Sequence, residues 1–296
     1  MRLKRTKAAL AGIGLALSLA ACGDAGSGEG SDVQAAEDCD GKFDDGTQMA
    51  EWAEAGEITV GTKFDQPGLG FKDAAADIPT GFDVEIAKLL VADLCMDPED
   101  TDAVTWEETI SDNREPYLEE GRVDLVLATY SITPERRAIV GQTGPYLVTG
   151  QQILVKEDSD IAGKEDLQGE EVCSAEGSTS IENVEAEGMV PASAPDYSQC
   201  VEDVLNGTVK AMSTDGSILL GYAAENPGEL KVVGEEFSEE RIGVGYFPKD
   251  ETATCEWING VIQEAYDDGS WAEAFEATLG EGGAETPEPP ALDECA

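Results

Sequence analysis

Between residues 58 and 279, short apolar runs of strand length alternate with segments whose apolar residues recur at helical spacing. Such alternation predicts strands joined by helical crossovers, an α/β fold with parallel sheets. The strand-like runs are 58–62, 123–129, 150–156, 171–174, 210–214 and 242–247. One helix is predicted over 82–94, with Ile86, Leu89, Leu90 and Leu94 on its core face, and a last one over 259–279, with Ile262, Ala265, Tyr266 and Phe275 inward. Between them, Thr133 suits an N-cap and Pro134 the first helical position, and Ser178-Thr179-Ser180 opens another helix. At about 150 residues per domain, 296 residues suggest two lobes. Polar residues recur where these strands end: Lys63, Thr129, Ser131, Thr179 and Asp215. In open α/β sheets ligands sit outside the carboxyl ends of strands, so several of these ends are expected to converge on one cleft.

The two ends of the chain read differently. Arg2, Lys4, Arg5 and Lys7 precede an apolar run from Ala8 to Ala21, a signal-peptide pattern. The run is shorter than the about 20 residues of a membrane span. It closes on Leu19-Ala20-Ala21-Cys22-Gly23, which resembles a bacterial lipobox. Residues 1–21 are therefore expected to be removed and Cys22 to carry lipid, anchoring the chain to the outer face of the cytoplasmic membrane. Residues 23–38 are rich in Gly, Ser, Asp and Glu, and the segment 22–49 is expected to be lipidated cysteine plus flexible tether. Residues 281–290 are irregular in the same way.

Charge and rare residues remove whole classes of function. Acidic residues number 63 against 18 basic, and four of the 18 lie in the leader, leaving 14 against 63, a mature charge of −49. A nucleic-acid backbone would be repelled. With no histidine, a Ser-His-Asp triad, a Cys-His dyad and His-ligated metal are all excluded. Seven cysteines suggest an oxidising compartment, and six remain once Cys22 is assigned to lipid. Six cysteines allow 15 pairings, of which the simplest joins neighbours: Cys39–Cys95, Cys173–Cys200 and Cys255–Cys295. Trp52, Trp106, Trp257 and Trp271 read as helix-packing residues, and Asn206-Gly207-Thr208 as a chance glycosylation pattern.

Gly81-Phe82-Asp83-Val84-Glu85-Ile86-Ala87, Val123-Asp124-Leu125-Val126, Ser131-Ile132-Thr133-Pro134-Glu135-Arg136-Arg137 and Pro145-Tyr146 together resemble the polar amino-acid solute-binding proteins of ABC importers, extracellular family 3. Lys63-Phe64-Asp65-Gln66-Pro67-Gly68-Leu69-Gly70 is similar to the glutamate-binding branch. The resemblance covers about residues 56–280. It implies a type II periplasmic-binding-protein-like fold: two lobes, 50–147 plus 246–296 and 151–241, two hinge strands near 148–150 and 242–245, and a ligand in the interlobe cleft. It also implies a monomeric binder that takes L-glutamate or a similar amino acid, works with a permease and its ATPase subunit, and needs no metal or cofactor.

The resemblance assigns roles residue by residue. Arg136 would hold the α-carboxylate, since a guanidinium fork matches a carboxylate with two charge-assisted bonds. Thr129 and Ser131 would donate to the ligand, although strand-end turn chemistry explains the same residues. Thr179, at a helix start, favours an anion or simply caps. Asp215 would take the ammonium. Lys63, Ser111 and Arg114 would set specificity, because a cation where glutamine-preferring relatives tend to carry an acid favours a carboxylate over an amide. A surface salt bridge to Glu115 or Glu119 is the plainer account of Arg114. Gln66 is placed at the rim and outside the ligand set. Two other readings stay open: an enzyme on the same fold, dehydratase- or transglycosylase-like, which needs a general acid or base in the cleft, and a sensory surface module.

Overall fold

The computed structural model describes residues 33–36 and 41–295. The leader, Cys22, and the expected Cys39–Cys95 bridge through Cys39 lie outside them. Two five-stranded sheets form the body. After helix α1 (Gln48–Ala55), the chain runs through β1 (Ile58–Thr62), the short hairpin β2 (Asp65–Gln66) and β3 (Gly70–Phe71), α2 (Phe82–Asp93), β4 (Val104–Glu108), α3 (Arg114–Glu119), β5 (Leu125–Ser131), α4 (Pro134–Arg137) and β6 (Gly141–Thr149). It then enters the second sheet with β7 (Gln151–Lys156), followed by β8 (Glu171–Ala175), α5 (Thr179–Ala186), β9 (Val190–Ala194), α6 (Tyr197–Asn206), β10 (Ala211–Asp215), α7 (Gly216–Glu225) and β11 (Leu230–Val233). It returns with β12 (Glu240–Tyr246) and ends in α8 (Thr252–Asp268) and α9 (Ser270–Ala277).

Sheet I has the order β4-β1-β5-β12-β6 and sheet II the order β11-β7-β10-β8-β9. Both are mixed, which corrects the expectation of purely parallel sheets. In sheet I, β1 runs parallel to β4 and β5, and β12 antiparallel to β5 and β6. In sheet II, β8 runs parallel to β9 and β10, and β7 antiparallel to β10 and β11. Antiparallel neighbours arise where the chain changes sheets. Only Gly150 separates β6 from β7, and the return crossing lies between Val233 and Glu240. Residues 242–245, expected at that crossing, are instead paired in sheet I along β12.

Helices α2, α8 and α9 pack on sheet I around Phe82, Tyr146, Trp271 and Phe275, whose rings meet at 5.4–6.1 Å. Sheet II is covered by α5, α6 and α7. The expected last helix is two helices, broken at Gly269, whose φ of +90° is a left-handed cap. Trp106 lies in strand β4, whereas Trp52, Trp257 and Trp271 are helical as expected. The bridges Cys173–Cys200 and Cys255–Cys295 are both formed.

Both ends of the described chain fasten to the sheet I unit. Ala36 N–H donates to Ala92 O, Lys42 pairs with Asp93 at 2.6 Å, and Phe43 meets the edge of Trp257. Met49, expected in the tether, is buried in α1. At the other end Asp293 bonds Arg137 and Arg241 at 2.6 Å each, and Cys295 is bridged to α8. Among the described residues no helix is long and apolar enough to cross a membrane.

Candidate functional site

The site is built outward from the end of β5, all seven of whose residues are buried. Thr129 has φ +45°, a left-handed conformation that costs a non-glycine residue free energy and is held only where surroundings enforce it. Three bonds do so. Asp83 Oδ2 accepts from Thr129 N at 2.6 Å and from its hydroxyl at 2.8 Å, and Gln66 Oε1 lies 2.7 Å from that hydroxyl. Burial pushes the Asp83 carboxyl up, against the opposing bonds from Tyr146 and Thr129 and the charge of Lys63. The bend exposes the carbonyls of Ala128 and Thr129 to Arg114, which donates to both at 3.3 Å.

Arg114 and Arg136 then flank one aromatic ring, their guanidinium carbons 4.6 and 4.9 Å from the centre of Tyr130. Both reach across to sheet II and donate to Gly177 O, at 3.1 and 3.0 Å. Arg136 also donates to Ser131 O at 2.7 Å and pairs with Glu115 at 3.1 Å. Its position comes from local sequence: Thr133 caps α4 by accepting from Arg136 N, with Pro134 at the first helical position, as the sequence predicts. Each Nη carries two hydrogens, so Arg136 keeps one on each beyond these bonds. Burial and the charge of Arg136 push Arg114 down to about 10, so it remains a cation at neutral pH.

On the sheet II side, Ser178 caps α5 and Thr179 opens it. Thr179 donates to Glu240 Oε2 at 3.0 Å, and its hydroxyl lies 3.3 Å from that of Ser131. Asp215 ends β10. Its Oδ1 is buried with no hydrogen-bond partner among the described residues. Burial, and then the negative charge of Glu240, push its carboxyl well up, while Arg114 and Arg136 pull the other way. An uncompensated buried carboxylate is costly unless a cation meets it.

Six of the expected residues, Ser111, Arg114, Thr129, Ser131, Thr179 and Asp215, line one narrow pocket. Two stand behind its wall. Arg136 backs Ser131, and Lys63, only 1 % exposed, donates from Nζ to Ser111 Oγ at 2.8 Å. Burial and the nearby Arg114 charge push Lys63 down to about 7. Gln66 is not at a rim: it is wholly buried and lines the pocket, with Nε2 unpartnered among the described residues. Sequence reasoning also missed Tyr197, Ser180 and Ile218 in the lining, and Glu240 beside it. The arrangement places guanidinium donors on one side and, on the other, a carboxyl whose Oδ1 has no hydrogen-bond partner among the described residues, the complement of a zwitterion.

The family model of bacterial extracellular solute-binding proteins, family 3, matches residues 58–281. The chain is 39% identical over 284 residues to the glutamate-binding protein GluB of Corynebacterium efficiens, covering 93% of this chain and 88% of that one. It is 30% identical over 271 residues to the ABC transporter glutamine-binding protein GlnH of Bacillus subtilis, covering 90% and 94%. Among solved structures, an ancestral arginine-binding protein bound to glutamine superposes with a TM-score of 0.69 at 33% identity, over 76% of this chain and 98% of that one.

Proposed function

The chain belongs to the bacterial extracellular solute-binding proteins of family 3 and has their type II fold, and on that premise we propose that it captures L-glutamate outside the cytoplasm and hands it to an ABC permease driven by an ATPase subunit. Amino-acid binding and an extracytoplasmic place follow from the family. Glutamate, the lipid on Cys22 and a monomeric state belong to the proposal. The reading is of a binder without catalysis, in line with the transport-binding relatives above.

The observation that carries it is Asp215, whose buried Oδ1 has no hydrogen-bond partner among the described residues, in the same pocket as Arg114 and opposite the strand end that Arg136 supports. In this reading Asp215 receives the α-ammonium. Arg136, with Thr129 and Ser131, receives the α-carboxylate, and Thr179 adds a helix-start donor. Arg114 and Ser111, with Lys63 behind Ser111, receive the side-chain carboxylate. Three cations against the two carboxylates of glutamate favour it over glutamine, which offers one. In this reading the lobes are the sheet I and sheet II units, hinged near 148–150 and at the entry to β12.

Titration calorimetry with glutamate, aspartate, glutamine and asparagine tests this. Glutamate should bind tightest, at around micromolar affinity, about 8 kcal/mol. Arg136→Ala should abolish binding without unfolding the chain. Equal affinity for glutamine would overturn the choice of ligand, and unchanged binding by Arg136→Ala would overturn the site.

A further inference from the structure

Strand β2 has only two residues, and successive side chains on a strand face opposite ways. Gln66 turns into the pocket. Asp65 turns away from it, toward two helices of the sheet II unit. Its Oδ2 accepts from the backbone N–H of Tyr197 at 3.1 Å and of Ser198 at 3.3 Å, the first two residues of α6. The next N–H, of Gln199, is taken at 2.9 Å by Asp196, the helix's own N-cap. The free donors at this helix start are therefore shared between an acid from its own unit and an acid from the other. Tyr222 of α7 donates to the Asp65 carbonyl at 2.6 Å and lies 3.2 Å from its Oδ2. Beside this contact, Gly221 packs so closely on Pro67 that a methyl group there would overlap the Pro67 carbonyl oxygen.

We propose that Asp65 is a latch between the two units: its carboxylate caps α6 from across the cleft, and so holds the closed arrangement and sets ligand affinity without touching the ligand. The latch and the pocket share one two-residue strand. Gln66, bonded to Thr129 within its own unit, faces the pocket residues of the sheet II unit while Asp65 meets α6, so closing engages both residues of β2 in the same movement. Opening returns two helix N–H groups, the Tyr222 hydroxyl and the carboxylate to water. A ligand bound only in the closed arrangement is weakened by whatever fraction of that arrangement is lost. This inference rests on the amino-acid-binding reading above for its affinity readout, but not for its geometry.

The test compares wild type with Asp65→Ala, Asp65→Asn, Tyr222→Phe and Gly221→Ala. The readouts are glutamate affinity, dissociation rate, the unfolding midpoint of the ligand-free protein, and small-angle scattering with and without saturating glutamate. Losing the two helix N–H bonds to one carboxylate should make Asp65→Ala about 10- to 100-fold weaker, through faster dissociation and not slower association. The ligand-free unfolding midpoint should stay near that of wild type, because the latch joins units instead of building either. Asp65→Asn, which keeps an acceptor, should fall between. Tyr222→Phe should weaken binding both in wild type and in the Asp65→Ala background, because its bond to the backbone carbonyl of residue 65 survives that substitution. Gly221→Ala should also weaken binding, although alanine is the better helix former. Scattering should report a larger radius of gyration for Asp65→Ala than for wild type.

Wild-type affinity and dissociation rate in Asp65→Ala would overturn the latch. So would a fall in ligand-free stability large enough to account for all the lost affinity, the mark of an ordinary structural cap. If wild type binds no amino acid, the functional reading fails and scattering alone judges the latch: an unchanged curve for Asp65→Ala overturns it.

Discussion

Lys63→Met removes the ammonium that is most deeply buried behind the pocket, and its effect on stability should depend on pH in one direction only. In the unfolded chain this lysine holds its proton up to the ordinary lysine value of 10.5, whereas in the fold burial lowers that to about 7. Between those values the unfolded state binds more protons, so wild-type stability contains a contribution that rises with pH. Below about pH 7 both states are charged and the full cost of burying the cation is present. At about 1.4 kcal/mol per pH unit, the span from 10.5 to about 7 corresponds to a ceiling of about 5 kcal/mol. The bond to Ser111 Oγ, and the charges of Asp65 and Asp83 that favour the ammonium, reduce what substitution recovers. A gain of about 1–3 kcal/mol for Lys63→Met near pH 6, shrinking toward zero or reversing near pH 10, is the expected result, the size being that of replacing a buried charge by an apolar side chain. Urea unfolding followed by tryptophan fluorescence at both pH values measures it. A difference between variant and wild type that is the same at both would refute the reasoning, because it would mean that Lys63 carries the same proton folded and unfolded.

The same lysine predicts that glutamate binding near pH 8 draws protons onto the protein, so the calorimetric enthalpy should change with the ionisation enthalpy of the buffer in wild type and not in Lys63→Met. Asp215→Asn keeps the shape but loses the charge that meets an ammonium; binding should weaken about 10- to 100-fold, as for one charge-assisted bond, while ligand-free stability holds or rises, as calorimetry and thermal unfolding will read. Replacing Cys173 and Cys200 by alanine should lower unfolding stability by about 3 kcal/mol, since their bridge closes a loop of 27 residues, and leave the glutamate affinity in place.

What the sequence reveals divides by range. The turn from β5 into α4 is legible because every part is local: Thr133 caps, Pro134 starts and Arg136 follows within one helical turn. The same holds for Ser178 before α5. The break at Gly269 is not legible from periodicity, because Ile262 and Ala265 before it and Trp271 and Phe275 after it all face the core. Strand direction is hidden as well. An apolar run such as 151–156 reads alike in either orientation, and only its pairing with β10 and β11, far along the chain, shows β7 to be antiparallel to its neighbours. Of the site, the charges at strand ends could be seen, but not which stand in the wall and which behind it. Gln66 differs from expectation because a two-residue strand has no period to read, and the hairpin of β2 with β3 turns it inward. Glu240 lies 61 residues from its partner Thr179, so no local pattern could pair them.

The fastening of both chain ends to the sheet I unit has a mechanical consequence. With Lys42 and Phe43 secured at one end and Asp293 and Cys295 at the other, that unit is the stator. The sheet II unit enters and leaves it through two adjacent crossings and carries neither end of the described chain, so in the proposed closure it is the rotor. A pull on either end is borne by the stator and is not transmitted through the pivot. In the proposed closure, a chain moored at its ends would still swing shut with its full stroke.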